Sequence, residues 1–216
     1  MNDKFPRIRH LPYSPGVGRD DLVGVPTALL GGTSCLISEK LDGSNVALTR
    51  DDVFARTHAH APKHPSYDAL KAIHAGIRRL IPEDHTVFCE WCWAIHSIQY
   101  ERLPSPPLFM LAVRREPRTW LSLQDREKVQ EKLGIPRAPI LWIGQFTDDE
   151  DLRMMVEWCM KAPPIYGSVR EGVVVSCGAE FDDEEWNSRI AKWVRAGHVQ
   201  TDEHWMTGPV RRQRLE

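Results

Sequence analysis

Strand-like runs dominate residues 35–57, where "CLISEKL", "SNVALTR" and "VFART" follow one another, the last two separated by the polar turn signal Asp51-Asp52. Antiparallel pairing of these consecutive strands is the simple expectation. From about Ser66 the period changes, and Leu70, Ile73, Ile77 and Leu80 recur at helical spacing until Pro82. "TVFCEWCW" and "PLFMLAV" return to strand character. A charged helix is predicted over 122–133, opened by Ser122 and closed near Gly134. A second is predicted to start at a Thr147–Glu150 capping box and to bury Leu152, Met155, Val156 and Cys159. Beyond Pro163-Pro164, "REGVVVSC" and "SRIAKWVR" predict two more strands, and a polar end follows. This order predicts an α+β fold of mainly antiparallel sheets flanked by helices. With no internal repeat and no low-complexity linker, a single domain is expected over residues 1–216.

Composition restricts the picture further. At 42% hydrophobic, the 216 residues suffice for a sizeable core. A formal net charge of −2 gives no global basic field, which leaves only a local patch as a route to nucleic acid. The tail "GPVRRQRLE" is basic but short, and a solvated, frayed end is expected rather than a phosphate-binding arm. Five irregularly spaced cysteines suit a reducing compartment. No run nears the roughly 18 apolar residues of a membrane span, and the first residues lack a signal-peptide core, so a cytoplasmic location is expected.

Charged side chains recur at strand ends: Glu39 and Lys40, Arg56, Glu90, Glu171, Lys192 and Arg195. Lys40 stands out because it closes an otherwise apolar strand two residues before Asp42-Gly43. A lysine there could serve as a nucleophile if its ammonium form were destabilised. Free lysine titrates near 10.4, so a working value of 7 to 8 needs a shift of about three units, roughly 4 kcal/mol. Partial burial and neighbouring cations, Arg56 and Lys192 among them, are expected to supply it. Gly43 would let the backbone approach where a side chain would obstruct. Cys89 and Cys92 form a C-x-x-C, but within a strand and with no second pair, so core packing is preferred over redox or zinc chemistry. Neither a G-x-S-x-G nucleophile elbow nor a P-loop is present.

Lys40-x-Asp42-Gly43, a downstream Arg56, a strand-borne Glu90, an aromatic strand, Glu171-Gly172-Val173-Val174-Val175 and a late basic strand fall in an order that resembles the covalent nucleotidyltransferase superfamily of ligases and capping enzymes. The resemblance runs from about residue 35 to 205, and "EKLDGSN" and "REGVVV" carry most of it. Ser44-Asn45 after the glycine is similar to RNA ligases in particular, as are "CEWCWAIHSIQY" and "KWVRAGHVQTDEHW".

The resemblance implies the ATP-grasp-like nucleotidyltransferase fold and an ATP-dependent RNA ligase that uses Mg²⁺ or Mn²⁺. AMP would be carried on Lys40, transferred to a 5′-phosphate end and released when a 3′-hydroxyl attacks. It further implies Arg56 on the ribose or phosphate, Glu90 on the ribose, and an aromatic, here Phe109, stacked on the adenine. Glu171 would lie near the metal, Glu39 would help recognise adenine, and Asp42, Gly43 and Asn45 would line the nucleotide pocket. His58, His60 and His64 are expected in an exposed loop beside that pocket, and His204 with Trp205 either closes it or packs the C-terminal end.

Two departures matter. The superfamily's last motif reads Lys-x-Lys, whereas here Lys192-Trp193-Val194-Arg195 has one lysine, with Arg195 a position late and on the opposite face of a regular strand. Either Lys192 acts for both, or Arg195 or His198 reaches in from a bulge. The last motif also lies about twenty residues from the end, too close for a downstream oligonucleotide-binding domain, so a bare catalytic domain is expected. End recognition would then fall to the domain surface, the first 35 residues or an accessory protein. A DNA-preferring ligase, a guanylyltransferase and a non-catalytic end-binding module are the competing readings.

Overall fold

The computed structural model describes residues 4–56, 62–197 and 210–216. In chain order its elements are β1 (Ser34–Lys40), β2 (Ser44–Leu48), β3 (Val53–Ala55), α1 (Asp68–Ile77), β4 (His85–Trp91), β5 (Leu108–Arg115) and β6 (Thr119–Trp120). There follow α2 (Leu123–Leu133), β7 (Ile140–Gln145), α3 (Asp149–Lys161), β8 (Gly172–Cys177), β9 (Phe181–Asp182), α4 (Trp186–Arg189) and β10 (Ile190–Val194). The strands form two sheets, one ordered β10-β8-β1-β7 and the other β3-β2-β4-β5-β6-β9, with every strand pair antiparallel. The fold is thus α+β with antiparallel sheets, as the residue pattern predicts. Among the described residues no helix is long and apolar enough to cross a membrane.

The expected pairing of β1 with β2 is not what forms. β1 lies between β7 and β8, while β2 pairs with β3 and β4 in the other sheet. Leu41-Asp42-Gly43 is therefore a crossing between sheets, and it turns the chain from one wall of the molecule to the other. Gly43 is required at that crossing, since a Cβ there would lie 2.7 Å from the Trp91 carbonyl oxygen.

Three apolar clusters hold the layers together. Cys35, Ile37, Val173 and Val175 of the four-stranded sheet join Leu152, Val156 and Cys159 of α3 and also Phe88 and Trp120 of the six-stranded sheet. Val46, Leu48, Val87, Cys89 and Val113 pack with Leu70 of α1 and Leu133 of α2. Leu41, Cys92, Ile98, Tyr100, Leu103 and Phe109 form the third. All five cysteines are free and buried, which agrees with core packing for Cys89 and Cys92.

Helix boundaries depart from the pattern in instructive ways. α1 ends at Ile77 in a 3₁₀ turn, Arg78–Leu80, and Leu80 is exposed. The α3 cap is Asp148 rather than Thr147: its carboxylate accepts from the Asp151 amide, while the Thr147 amide donates to Asp151. α2 runs as predicted, from a Ser122 cap to Gly134 in the left-handed region.

Both ends of the chain are built in. Residues 9–11 zip onto the outer edge of β10, where the Lys192 amide donates to the Arg9 carbonyl and the Leu11 amide to the Lys192 carbonyl. The basic tail is not frayed in its described part. Gln213 is buried and accepts from the Tyr100 amide while donating to the Ile98 carbonyl, and Leu103 and Ile95 donate to the Arg214 and Arg211 carbonyls.

Candidate active site

A cleft of about 1000 Å³ opens between the two sheets, and Lys40, Arg56, Glu90, Asn45 and Lys192 all line it. The register explains how they meet. Lys40 ends β1 opposite Gly172 of β8, which brings Glu171, the residue before β8, to the lysine. The Lys40 Nζ lies 2.7 Å from both carboxylate oxygens of Glu171. Gly172 allows this close packing, because a Cβ would fall 2.0 Å from the Trp193 carbonyl oxygen on β10. Lys192 stands on β10 opposite Val174, on the same sheet, and Asn45 sits opposite Glu90 in the other.

Successive strand residues face opposite sides, and the Glu39-Lys40 and Arg170-Glu171 pairs use both. Lys40 lines the cleft, and the buried Glu171 backs it. Glu39 and Arg170 meet at 3.2 Å, with both side chains no more than 2% exposed, and Glu39 still borders the cleft. The Arg170 guanidinium also donates to the carbonyls of Cys159, Ala162 and Pro163, so it ties β8 to the end of α3. The Glu39 carboxylate, expected to face the adenine freely, is instead held by Arg170 and the Ile165 amide.

Phe109 needs a similar correction. It is fully buried, with its ring 5.2 Å from that of Tyr166, and Leu41, Tyr100 and Ala138 enclose it. Two residues further along β5, Leu111 takes a cleft-lining position in its place. Arg195 lies past the end of β10 and is not among the cleft residues; its backbone amide donates to the Glu171 carbonyl. Val194, where a second lysine would stand, is buried. Asp42 also works differently from expectation. Its carboxylate accepts from the Ser97 and Ile98 amides at 2.7 Å each, and its amide donates to the Tyr100 hydroxyl, so it anchors the sheet crossing.

Electrostatics overturns one further expectation. Burial pushes the Lys40 ammonium down, but the Glu171, Glu90 and Asp42 carboxylates outweigh it, so its pKa is raised rather than lowered. Lys192 is lowered, by burial first and then by Lys40. Burial pushes Glu90 up to about 7 against the pull of Lys40, while one of its oxygens accepts from the Gly43 amide. The Asn45 Oδ1 is buried and has no partner among the described protein groups.

Residue patterns gave no hint of Asp21. It lines the cleft 4.0 Å from the Lys192 Nζ, and its other oxygen is 3.3 Å from the His10 Nε2. His10 in turn meets the Ser14 hydroxyl, which is bonded to Val194. The N-terminal segment thus supplies a counter-ion to Lys192. No periodicity or motif marks such a residue, and Arg170 was visible only as the neighbour of Glu171. His64 lines the cleft, whereas His58, His60, His198, His204 and Trp205 lie outside the described residues.

Residues 33–194 match the family model described as RNA ligase. No curated protein matches the sequence. Among solved structures, an archaeal ATP-dependent RNA ligase superposes with a TM-score of 0.58 over 91% of this chain and 49% of its own, at 15% identity. A Naegleria gruberi RNA ligase variant with ATP and Mn gives a TM-score of 0.59 over 91% of this chain and 59% of its own, at 16% identity. A putative ATP-dependent DNA ligase from Aquifex aeolicus gives 0.53 over 91% and 50%, at 18% identity. The chain spans about half the length of these structures, and at such identities the likeness is one of fold. The family model, in contrast, covers most of the chain, from the residue before β1 to the last residue of β10, and with it every strand that builds the cleft: the chain belongs to the RNA ligase family.

Proposed function

We propose that this protein is an ATP-dependent RNA ligase that carries AMP on Lys40. The observation behind this reading is the Lys40 amine facing a nucleotide-sized cleft, 2.7 Å from the carboxylate of Glu171, with Lys192, Arg56 and Glu90 on the surrounding walls. Lys40 must shed a proton before it can attack, and Glu171 is the nearest acceptor. Its nitrogen then bonds to the α-phosphorus of ATP as the bond to pyrophosphate breaks. Lys192 and Arg56 are the cations available to take up charge on the departing pyrophosphate. Transfer of AMP to a 5′-phosphate end of RNA, followed by attack of a 3′-hydroxyl and release of AMP, completes sealing.

The donor set suits Mg²⁺ or Mn²⁺. Glu171, Glu90 and the unpartnered Asn45 Oδ1 offer hard oxygens, and among the described residues no group of three or more His, Cys, Asp or Glu forms a cage. Such an ion leans on substrate phosphates and water, and it would offset charge on the phosphate oxygens. α-Labelled ATP with either metal should leave label on the protein, and Lys40→Ala should abolish it. Wild-type protein that never labels would refute the assignment. Parallel assays with GTP and with DNA ends separate guanylyltransferase and DNA ligase activities from this one.

A further inference from the structure

The tail that the residue pattern assigns to solvent is instead docked, and its side chains divide in two. Gln213 is buried and bonded on both sides to the 98–100 backbone, whereas Arg211, Arg212 and Arg214 are exposed. Bridges of Arg212 with Ala94 and of Leu215 with Leu103 lay the segment along residues 93–103. That is the stretch whose amides hold Asp42, and whose His96 lines the cleft beside Ser44. Three exposed arginines are therefore carried along this docked stretch. At about 3.3 Å per extended residue, Arg211 to Arg214 covers roughly 10 Å.

Arg212 is also pre-set. The Arg212 guanidinium lies over the Trp93 ring, 4.7 Å from its centroid, which holds the plane by its face and leaves the N–H edge for an oxyanion. Among the described residues nearby acids are few: Glu216 pairs with Arg102 at 3.4 Å, and Glu101 is exposed. Among the described residues no carboxylate pairs with Arg211, Arg212 or Arg214.

We propose that this docked segment binds the phosphodiester backbone of the strand whose 5′ end enters the cleft, through Arg211, Arg212 and Arg214. Only the identity of that strand rests on the ligase reading. Planar forks anchored at intervals on a fixed backbone suit successive phosphates better than they suit a single free anion.

The test is the triple variant R211A/R212A/R214A, with Gln213 untouched so that the segment stays docked, and a triple lysine variant beside it. Binding of 5′-phosphorylated single-stranded RNA and DNA oligonucleotides is measured without ATP, across salt concentration. Self-labelling with α-labelled ATP is measured separately. The alanine variant should bind RNA at least tenfold more weakly at 0.15 M salt, with a log–log salt slope smaller by about 2, as three lost phosphate contacts at about 0.7 each require. Self-labelling and thermal midpoint should be unchanged, and the lysine variant should recover most of the slope. Wild-type-like binding with an unaltered slope overturns the proposal. So does a loss for DNA alone, or a loss that the lysine variant does not repair. If wild-type protein fails to self-label, the ligase reading falls, while the binding measurement still decides the role of the tail.

Discussion

Lys40 and Glu171 show how a candidate pair can be picked out from type and order while its resting charge state is missed. Strand-edge position and Asp42-Gly43 identify the lysine, but the expected lowering of its pKa assumed cations as its nearest neighbours. In the structure the nearest neighbour is a carboxylate, so the resting amine is held protonated. Glu90 gives a sharper test. Unfolded, it releases its proton near pH 4.5; folded, it holds it to about pH 7. Between those values the folded chain binds more protons, so stability falls as pH rises, by up to about 3 kcal/mol. Glu90→Gln keeps the acceptor for the Gly43 amide and removes the titration. Urea unfolding at pH 5 and 7.5 should show the wild type losing ground to the variant at the higher pH; parallel behaviour would show that Glu90 ionises normally.

At the scale of elements, the buried Glu39–Arg170 pair joins β1, the start of β8 and the end of α3. Both charges are buried, so removing one leaves the other uncompensated, at about 3 to 5 kcal/mol. Arg170→Met and Glu39→Gln should each destabilise by that order in denaturant titrations, and the double variant by clearly less than their sum. Additive losses would mean that the pair does not act as a unit. Strands and the capped α2 helix were legible because their periodicity and end residues are local. Partner choice was not: β1 and β2 are three residues apart yet enter different sheets, because their partners β7, β8 and β4 come from distant parts of the chain. β7 was unreadable for a related reason. As an edge strand with Ile143 exposed, it lacks the alternation that marks a half-buried one.

For the molecule as a whole, the N-terminal segment is the least expected structural part. Leu11 and Leu29 are fully buried in the main cluster although both precede the family-matching region. Leu29→Ala should destabilise by about 2 to 5 kcal/mol in urea unfolding, as for a core leucine. A loss below about 1 kcal/mol would place the segment outside the cooperative unit. The same segment carries Asp21 to Lys192, so the cleft and the core are built from one piece of chain.

The amino-acid sequence by itself determined the α+β class and the family, and it singled out the candidate residues Lys40, Glu90, Glu171 and Lys192 that the fold brings to one place. Those were readable because side-chain chemistry and backbone periodicity are local, and because several such signals fell in one order. Tertiary structure alone decided that Phe109 is a core group, that Arg170 holds the Glu39 carboxylate, that Arg195 stands off the cleft, that Asp21 stands in it, and that the basic tail is docked. Each of these depends on which surfaces face each other after two sheets close on one another, and burial by a distant segment leaves no mark on the residues it covers.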